Sequence, residues 1–98
     1  MGTTPEGKIK AKIRNVLIIH NCYIAMPVQG GYGSALLDFY GCHRGRFFAI
    51  EAKAKGKKPT ERQLLILKEV RDAGGKTFVI DCEEEIKPLI AWLRGLID

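Results

Sequence analysis

The stretch from residue 36 to residue 53 reads Leu36-Leu37-Asp38-Phe39-Tyr40, then Gly41-Cys42-His43-Arg44-Gly45, then Arg46-Phe47-Phe48-Ala49-Ile50-Glu51-Ala52-Lys53. The outer two segments are rich in residues that favour β-strands, and the middle segment holds two glycines. This pattern predicts a hairpin of two paired strands joined by a turn between Gly41 and Gly45. Its charged residues occupy positions where buried strands seldom carry charge.

The period of a β-strand decides which of these side chains share a face. A turn centred on His43 and Arg44 places Asp38 opposite Ala49. Because side chains alternate between the two faces, one face is then expected to carry Asp38, Ala49, Glu51 and Lys53. The other face is expected to carry Phe48, Ile50 and Ala52. In this register Asp38 and Glu51 are diagonal neighbours, with Cβ atoms roughly 7–8 Å apart or somewhat less.

Two carboxylates held together in a partly buried site resist ionisation unless a cation compensates their charge. A hard divalent ion such as Mg²⁺, bound through oxygens with part of its water shell, would supply that compensation. Lys53, on the same predicted face, would orient a water molecule or stabilise charge on a phosphoryl oxygen. The alternative is a surface hairpin in which Asp38, Glu51 and Lys53 form an ordinary solvated ion pair.

Asp38, the hairpin and then Glu51-Ala52-Lys53 resemble the Asp…Glu-x-Lys signature of the PD-(D/E)xK nuclease superfamily. With Glu6 on a preceding predicted helix and Gln63 on a following one, the chain is most similar to the VRR-NUC domain in its small stand-alone, phage-type form. The resemblance covers nearly the whole chain. One departure is Leu37, which stands before the aspartate where the superfamily name has proline.

The resemblance implies a restriction-endonuclease-like core and a metal-dependent, structure-specific DNA endonuclease. It implies that Mg²⁺ or Mn²⁺ is held by Asp38, Glu51 and the backbone carbonyl of Ala52, with Glu6 assisting through water or a second ion. Lys53 would then aid the attacking water, and Gln63 would help to orient that lysine or that water. Similarity to stand-alone VRR-NUC proteins further implies a homodimer that cuts branched DNA such as Holliday junctions.

Two of these residues also have simpler explanations. Glu6 precedes Ile9 by three residues in a predicted helix, so it points from the first turn of the inward face, but it would also complement the positive end of the helix dipole. Gln63 belongs to a Thr-x-x-Gln pattern that begins at Thr60, and a capping box alone would account for it.

The charge of the chain favours a polyanionic partner. Sixteen lysines and arginines oppose eleven aspartates and glutamates, for a formal net charge of +5. Basic residues cluster near the start and around the centre, and the loop from Lys55 to Lys58 follows the proposed site. Tyr32 lies in a glycine-rich loop, from which it would stack on a base or sugar. The candidate DNA contacts are Lys8, Lys12, Tyr32, Arg44, Lys55, Lys57 and Lys58. The alternative is a basic, solvated surface with no nucleic-acid role.

Three cysteines, Cys22, Cys42 and Cys82, are far apart and form no CxxC pair. They are interpreted as free thiols in a reducing compartment, and a zinc site that combines them with His20 or His43 is a minor alternative. No apolar run has the length of a membrane span, and no signal-peptide pattern is present. These features predict a cytoplasmic protein, in a bacterium or a phage-infected host cell, with no membrane partner.

The remaining patterns predict one α/β domain over residues 1–98, with a mixed central sheet flanked by helices in the order α-β-β-β-α-β-α. Thr4-Pro5 is typical of a helix start, and Cys22–Val28 is expected to be the first strand. Thr60 is expected to open the second helix and Gly74-Gly75 to end it. Thr77–Asp81 is a short apolar strand that is expected to pair in parallel. The last helix is predicted over Glu83–Ile97, with part of its apolar surface packing against a second subunit.

Two other classes of protein also agree with these patterns. The chain would serve as a non-catalytic DNA-binding module if its acids only formed salt bridges. It would also serve as a partner-binding subunit of a replication or repair complex. The set Glu6, Asp38, Glu51, Lys53 and Gln63 favours the nuclease, because acids beside phosphate contacts repel DNA unless a cation intervenes.

Overall fold

Helices and strands follow one another in the predicted order. The computed structural model describes residues 4–28 and 36–98. Its elements are α1 (Pro5–Ile19), β1 (Tyr23–Ala25), β2 (Phe39–His43), β3 (Arg46–Ala52), α2 (Glu61–Asp72), β4 (Lys76–Ile80), a 3₁₀ turn (Glu83–Glu85) and α3 (Ile86–Leu93). The strands form one sheet in the order β1-β2-β3-β4. Among the described helices, none is both long enough and apolar enough to cross a membrane.

The start of α1 agrees with the predicted capping signal. The Thr4 side chain accepts a hydrogen bond from the backbone N–H of Gly7 at 3.0 Å, and Pro5 occupies the first helical turn, where its missing N–H costs nothing. Ile13 and Leu17, four residues apart on one face, are fully buried against the sheet. This face places α1 across the hairpin that carries the candidate site.

The hairpin forms, but its turn lies later than predicted. Phe39 pairs with Ile50 and His43 pairs with Arg46, so the two-residue turn consists of Arg44 and Gly45. Both turn residues have positive φ, at 51° and 80°, which is the geometry that matches the right-handed twist of the strands. The register centred on His43 and Arg44 was therefore wrong.

The corrected register brings the two acids closer together. Continuing the pairing of Phe39 with Ile50 by one residue places Asp38 directly opposite Glu51 instead of opposite Ala49. Directly opposite residues have Cβ atoms about 4.5–5.5 Å apart, which is closer than diagonal neighbours. Asp38 and Glu51 still share a face, because the slip amounts to an even number of residues.

Gly41, which was expected in the turn, lies in the middle of β2. A Cβ atom at this position would lie 2.2 Å from the carbonyl oxygen of Tyr23 and 2.5 Å from Cζ of Phe48. The glycine therefore permits close contact with a neighbouring strand and a core ring and does not supply turn flexibility.

The first strand is shorter than the predicted range Cys22–Val28. It comprises Tyr23–Ala25 and pairs antiparallel with β2. Pro27 has no N–H to give to a ladder, which is consistent with the early end of the strand. The glycine-rich loop with its candidate contact Tyr32 lies outside the described residues.

The second helix and the last strand agree with the sequence patterns. Thr60 and Gln63 form the predicted capping box of α2, and Gly74 follows the helix with a φ of 97°. β4 then pairs in parallel with β3, from Phe48 opposite Lys76 to Ala52 opposite Ile80. The predicted parallel crossover through a helix is confirmed.

The last helix is not continuous over Glu83–Ile97 as predicted. Glu83–Glu85 form a single 3₁₀ turn, and α3 extends from Ile86 to Leu93. Pro88 fits only in the first turn of a helix, because it has no N–H to donate and its ring crowds the preceding turn. Gly95, with a φ of 74°, takes the left-handed conformation typical of a helix end.

Apolar side chains cover both faces of the sheet. Phe48, Ile50 and Ala52 point together, as predicted, into a core shared with α1 and α3. Ala49 points the other way, into a smaller cluster with Leu67 of α2. The result is an α/β fold with a four-stranded mixed sheet between helices, which is compatible with a restriction-endonuclease-like core.

Candidate functional site

Asp38 lies immediately before β2 and is held from two directions. Its Oδ2 atom accepts the backbone N–H of Ala52 at 2.8 Å, and its Oδ1 atom lies 3.1 Å from Nζ of Lys10. The first contact ties the carboxylate to the end of β3. The second contact links it to α1, which crosses the opposite side of the hairpin.

Glu51 is the most deeply buried acid of the site. Its side chain is 3% exposed, and its Oε2 atom lies 3.2 Å from Nζ of Lys53. The other oxygen, Oε1, is buried and has no hydrogen-bond partner among the described residues. An acceptor left unpaired inside a protein costs free energy, so this atom is a favourable place for a proton or a cation.

The environment of Glu51 raises its pKa to about 7. Burial is the largest cause, and the negative charge of Asp38 is the second. The hydrogen bond and charge of Lys53, together with a hydrogen bond from the backbone of Asp38, oppose this rise. Near neutral pH, a substantial fraction of Glu51 is therefore protonated, and a nearby cation would favour the ionised form.

Lys53 follows Glu51 by two residues and lies on the same side of β3. Its backbone N–H donates to the carbonyl oxygen of Ile80 at 2.9 Å, which fixes the chain at this point. The ammonium group is only 15% exposed and contacts Glu51. The structure thus brings Asp38, Glu51 and Lys53 together at one end of the hairpin.

Lys10 is a site residue that sequence reasoning did not assign. It belongs to the basic cluster near the start of the chain, and its ammonium contacts Asp38. The signal that would have identified it is its spacing, because Lys10 follows Glu6 by four residues and therefore lies on the same side of α1.

Glu6 is half-buried in the first turn of α1. In residues 4–28 and 36–98, no group of three or more histidine, cysteine, aspartate or glutamate side chains is arranged to hold a metal ion. Glu6 therefore does not form a three-acid group with Asp38 and Glu51. Its assistance through water or a second ion stays a prediction.

Gln63 takes part in the capping box of α2. Its Oε1 atom accepts the backbone N–H of Thr60 at 3.0 Å, while its own backbone N–H donates to the Thr60 hydroxyl at 3.1 Å. The capping explanation of this residue is therefore correct. Its proposed effect on Lys53 or on an attacking water stays a prediction.

The basic loop that follows the site is held in place by Asp81, the residue after β4. The backbone N–H of Gly56 donates to Oδ2 of Asp81 at 3.2 Å. This hydrogen bond is the main reason that the pKa of Asp81 is lowered, and the Cys82 side chain contributes next. Lys55, Lys57 and Lys58 are exposed, so their ammonium groups are accessible beside the site.

The other candidate DNA contacts are distributed differently. Lys8 is exposed on α1, and Lys12, two turns before the end of that helix, forms an ion pair with Glu83. Arg44 is at the hairpin turn, seven residues from Glu51, which corresponds to roughly 20 Å along a strand. Arg44 is therefore not brought to the acidic end of the hairpin.

The three cysteines are free thiols, and each is half-buried. His43 donates through Nε2 to the carbonyl oxygen of Leu93 at 3.0 Å, so its Nδ1 atom is left to accept from the Cys22 thiol at 3.6 Å. Burial, followed by the proximity of Cys42, raises the pKa of Cys22. A thiol in this environment is less reactive than an exposed one.

The donor set at the hairpin fits a hard divalent ion. It combines two opposed carboxylates with a buried oxygen, Oε1 of Glu51, that has no hydrogen-bond partner in the described part of the chain. Oxygen donors of this kind are those that Mg²⁺ and Mn²⁺ prefer. Two side chains alone do not complete the coordination shell of such an ion, so backbone oxygens and water molecules would contribute the remaining ligands.

The fold and the site together define an α/β protein with a paired-carboxylate cluster at one end of a central hairpin. Comparison with protein-family models gives no match to the chain, and comparison with curated proteins gives none either.

Proposed function

We propose that this protein is a metal-dependent DNA endonuclease of the PD-(D/E)xK superfamily, similar to the small stand-alone VRR-NUC proteins. The observation that carries the proposal is the buried Oε1 atom of Glu51, which lacks a partner among described residues beside a second carboxylate, Asp38. Burying two acids together is unfavourable for folding alone. The arrangement is expected where the acids bind a cation.

The cation would be Mg²⁺ or Mn²⁺, held by Asp38, Glu51 and the backbone carbonyl of Ala52, with Glu6 assisting. When bound, such an ion neutralises charge on a phosphodiester and favours ionisation of water. The N–H of Ala52 anchors the Asp38 carboxylate at the end of β3, beside the residue that follows Glu51. Lys53 holds its ammonium beside the acids, where it would orient the attacking water or stabilise negative charge on the phosphate.

The proposed substrate is DNA, held through its phosphates. The exposed lysines of the 55–58 loop lie directly after Lys53 in the chain. A DNA phosphate backbone bound to these lysines would therefore lie close to the two carboxylates. By similarity to the VRR-NUC form, the preferred substrate would be branched DNA such as a four-way junction, cut by a homodimer with paired sites. The proposed location is the cytoplasm.

The activity is tested by incubating the protein with Mg²⁺ or Mn²⁺ and a panel of single-stranded, duplex, flap and four-way DNA. We expect metal-dependent cleavage that is lost in Asp38→Asn, a variant that keeps the shape of the side chain and an acceptor for Ala52. Absence of cleavage of every substrate under both ions would overturn the proposal.

The preference for branched DNA and the homodimer have a separate test. Light scattering should give twice the mass of the chain, and the four-way junction should be cut faster than plain duplex. A monomer, or equal cutting of junction and duplex, would remove this part of the proposal and leave the metal-dependent activity in place.

A second candidate function has one observation in its favour. Both carboxylates already contact a lysine, Asp38 with Lys10 and Glu51 with Lys53, as they would in a DNA-binding module whose acids serve only as salt-bridge partners. Such a module would bind DNA without responding to divalent ions. Calorimetric titration with Mn²⁺ discriminates the two functions, because only the nuclease requires an ion site.

A further inference from the structure

The four carboxylate oxygens of the site differ in their partners. Oδ2 of Asp38 accepts the backbone N–H of Ala52 at 2.8 Å, and Oδ1 lies 3.1 Å from Lys10. Oε2 of Glu51 lies 3.2 Å from Lys53, whereas Oε1 has no partner within the described residues. An ion that contacts both acids through side-chain oxygens therefore finds Oε1 free and must share or take an oxygen of Asp38.

Besides the backbone N–H of Asp38, which donates to Glu51, three donors contact these oxygens, and Lys10 is the one that can leave. The N–H of Ala52 belongs to the backbone of β3 and is fixed by the sheet. Lys53 is 15% exposed, and its own backbone N–H is bonded to Ile80. The Lys10 side chain is 37% exposed and reaches Asp38 from α1 by a flexible four-carbon chain.

A divalent ion and an ammonium group repel each other when both contact one carboxylate in a partly buried site. We infer that Lys10 is the internal counter-cation of Asp38 and moves to a DNA phosphate when the ion binds, so that metal and DNA bind cooperatively. This inference rests on the proposed function. Lys10 is then a positioning residue that links two ligands and is separate from the catalytic group Lys53.

The direction of the coupling follows from the charges. In the free protein, Lys10 competes with the ion for Asp38. When DNA is present, a phosphate provides another partner for the ammonium, and Asp38 becomes available. Thermodynamic linkage requires the reverse effect of equal size, so the ion must also strengthen DNA binding.

The inference is tested by calorimetric titration with Mn²⁺, with and without four-way DNA, for Lys10→Met and for Lys68→Met as a matched control. Lys68 is also a helical lysine paired with an aspartate, Asp72, but it is not a candidate DNA contact. All variants are made in the Lys53→Ala background, so that the DNA stays intact during the measurement.

For the free protein, we expect Lys10→Met to bind Mn²⁺ at least about 5-fold more tightly than its parent, and Lys68→Met to match the parent. DNA should tighten Mn²⁺ binding to the parent at least about 5-fold more than it tightens binding to Lys10→Met, in which only direct contact between the ion and a phosphate remains. Lys10→Arg, which keeps the charge, should keep the coupling.

If the parent protein binds Mn²⁺ and Lys10→Met binds it equally or more weakly, the inference about Lys10 is overturned, but the proposed nuclease is not. Loss of the coupling between Mn²⁺ and DNA binding in Lys10→Arg would also contradict the proposed movement of the Lys10 side chain from Asp38 to a phosphate. A wild-type protein that binds no Mn²⁺ with or without DNA would overturn both the inference and the proposed nuclease.

Discussion

Asp38 accepts the backbone N–H of Ala52 through Oδ2 at 2.8 Å, and this hydrogen bond joins the residue before β2 to the last residue of β3. Glu51 is the neighbour of Ala52, so the bond anchors Asp38 next to the second acid of the site. Together with the contact of Asp38 with Lys10 and that of Glu51 with Lys53, it helps to hold the carboxylate pair in position.

The first prediction concerns this contact. Asp38→Asn keeps an oxygen that can accept from Ala52 but removes one charge, so folding should be retained while the affinity for Mn²⁺ falls by at least about 10–100-fold. Asp38→Ala should lose the ion site as well, and in addition some stability, on the order of 1 kcal/mol, because the Ala52 N–H loses its partner. Mn²⁺ titration and urea denaturation measure the two effects separately. Equal Mn²⁺ affinity in Asp38→Asn and wild type would contradict the assignment of Asp38 as a ligand.

The second prediction concerns pH. The pKa of Glu51 in the folded chain, about 7, exceeds its ordinary value of 4.5, so the folded state binds the proton more tightly. The contribution of Glu51 to stability is therefore fully present below about pH 4.5 and is lost as the pH rises through about 7. Glu51→Gln should remove this loss, because glutamine does not titrate. In the absence of metal at pH 8, the free energy of unfolding of this variant should therefore be about 1–3 kcal/mol greater than that of wild type.

Urea denaturation at pH 5 and pH 8 checks this prediction. Glu84→Gln is the matched control, because Glu84 is an exposed glutamate that pairs with Lys87. It should follow the wild-type pH dependence. The same pH dependence in Glu51→Gln and wild type would show that Glu51 is not the titrating group.

The third prediction assigns the ammonium of the site. Lys53→Ala should abolish cleavage while leaving DNA binding largely intact, because Lys53 is only 15% exposed beside Glu51 and its proposed role is in the reaction. Cleavage assays and fluorescence anisotropy measure the two properties. Lys68→Ala, which removes an exposed lysine paired with Asp72, should leave cleavage unchanged. Full nuclease activity in Lys53→Ala would rule out the role of Lys53.

The fourth prediction concerns the basic loop. Lys57→Ala should weaken binding to all DNA sequences alike and reduce the slope of log affinity against log salt by about 1, since a phosphate contact carries no sequence information. Mn²⁺ affinity should not change. Lys87→Ala, whose lysine pairs with Glu84 in the acidic region after β4, serves as the control. An unchanged salt slope in Lys57→Ala would exclude Lys57 from the DNA contact.

Local patterns were sufficient for the order of the elements. Thr4-Pro5 and the Thr60 capping box act over a single helical turn, and the alternation of Phe48, Ile50 and Ala52 reflects the pleat of a strand. These signals depend on neighbouring residues only. For the same reason, the shared face of Asp38 and Glu51 was predictable from their spacing along the hairpin.

Sequence patterns were insufficient where two alternatives differ by a small backbone change. The predicted turn segment contains two glycines that would suit a bend, Gly41 and Gly45, and only the close packing of Gly41 against Tyr23 and Phe48 assigns it to β2. The break before α3 depends on how Pro88 is accommodated within its first turn. The first of these choices is made by packing across the sheet, and the second by the backbone geometry of Pro88.

The amino-acid sequence by itself determined a mixed α/β architecture and a hairpin with Asp38, Glu51 and Lys53 on one face, because capping, turn and strand signals act within a few residues. Only the tertiary structure decided that Lys10 reaches Asp38 from α1 and that Glu51 is buried with a pKa of about 7. The physical reason is that ion pairs between distant segments and the loss of solvent both depend on how the elements pack together.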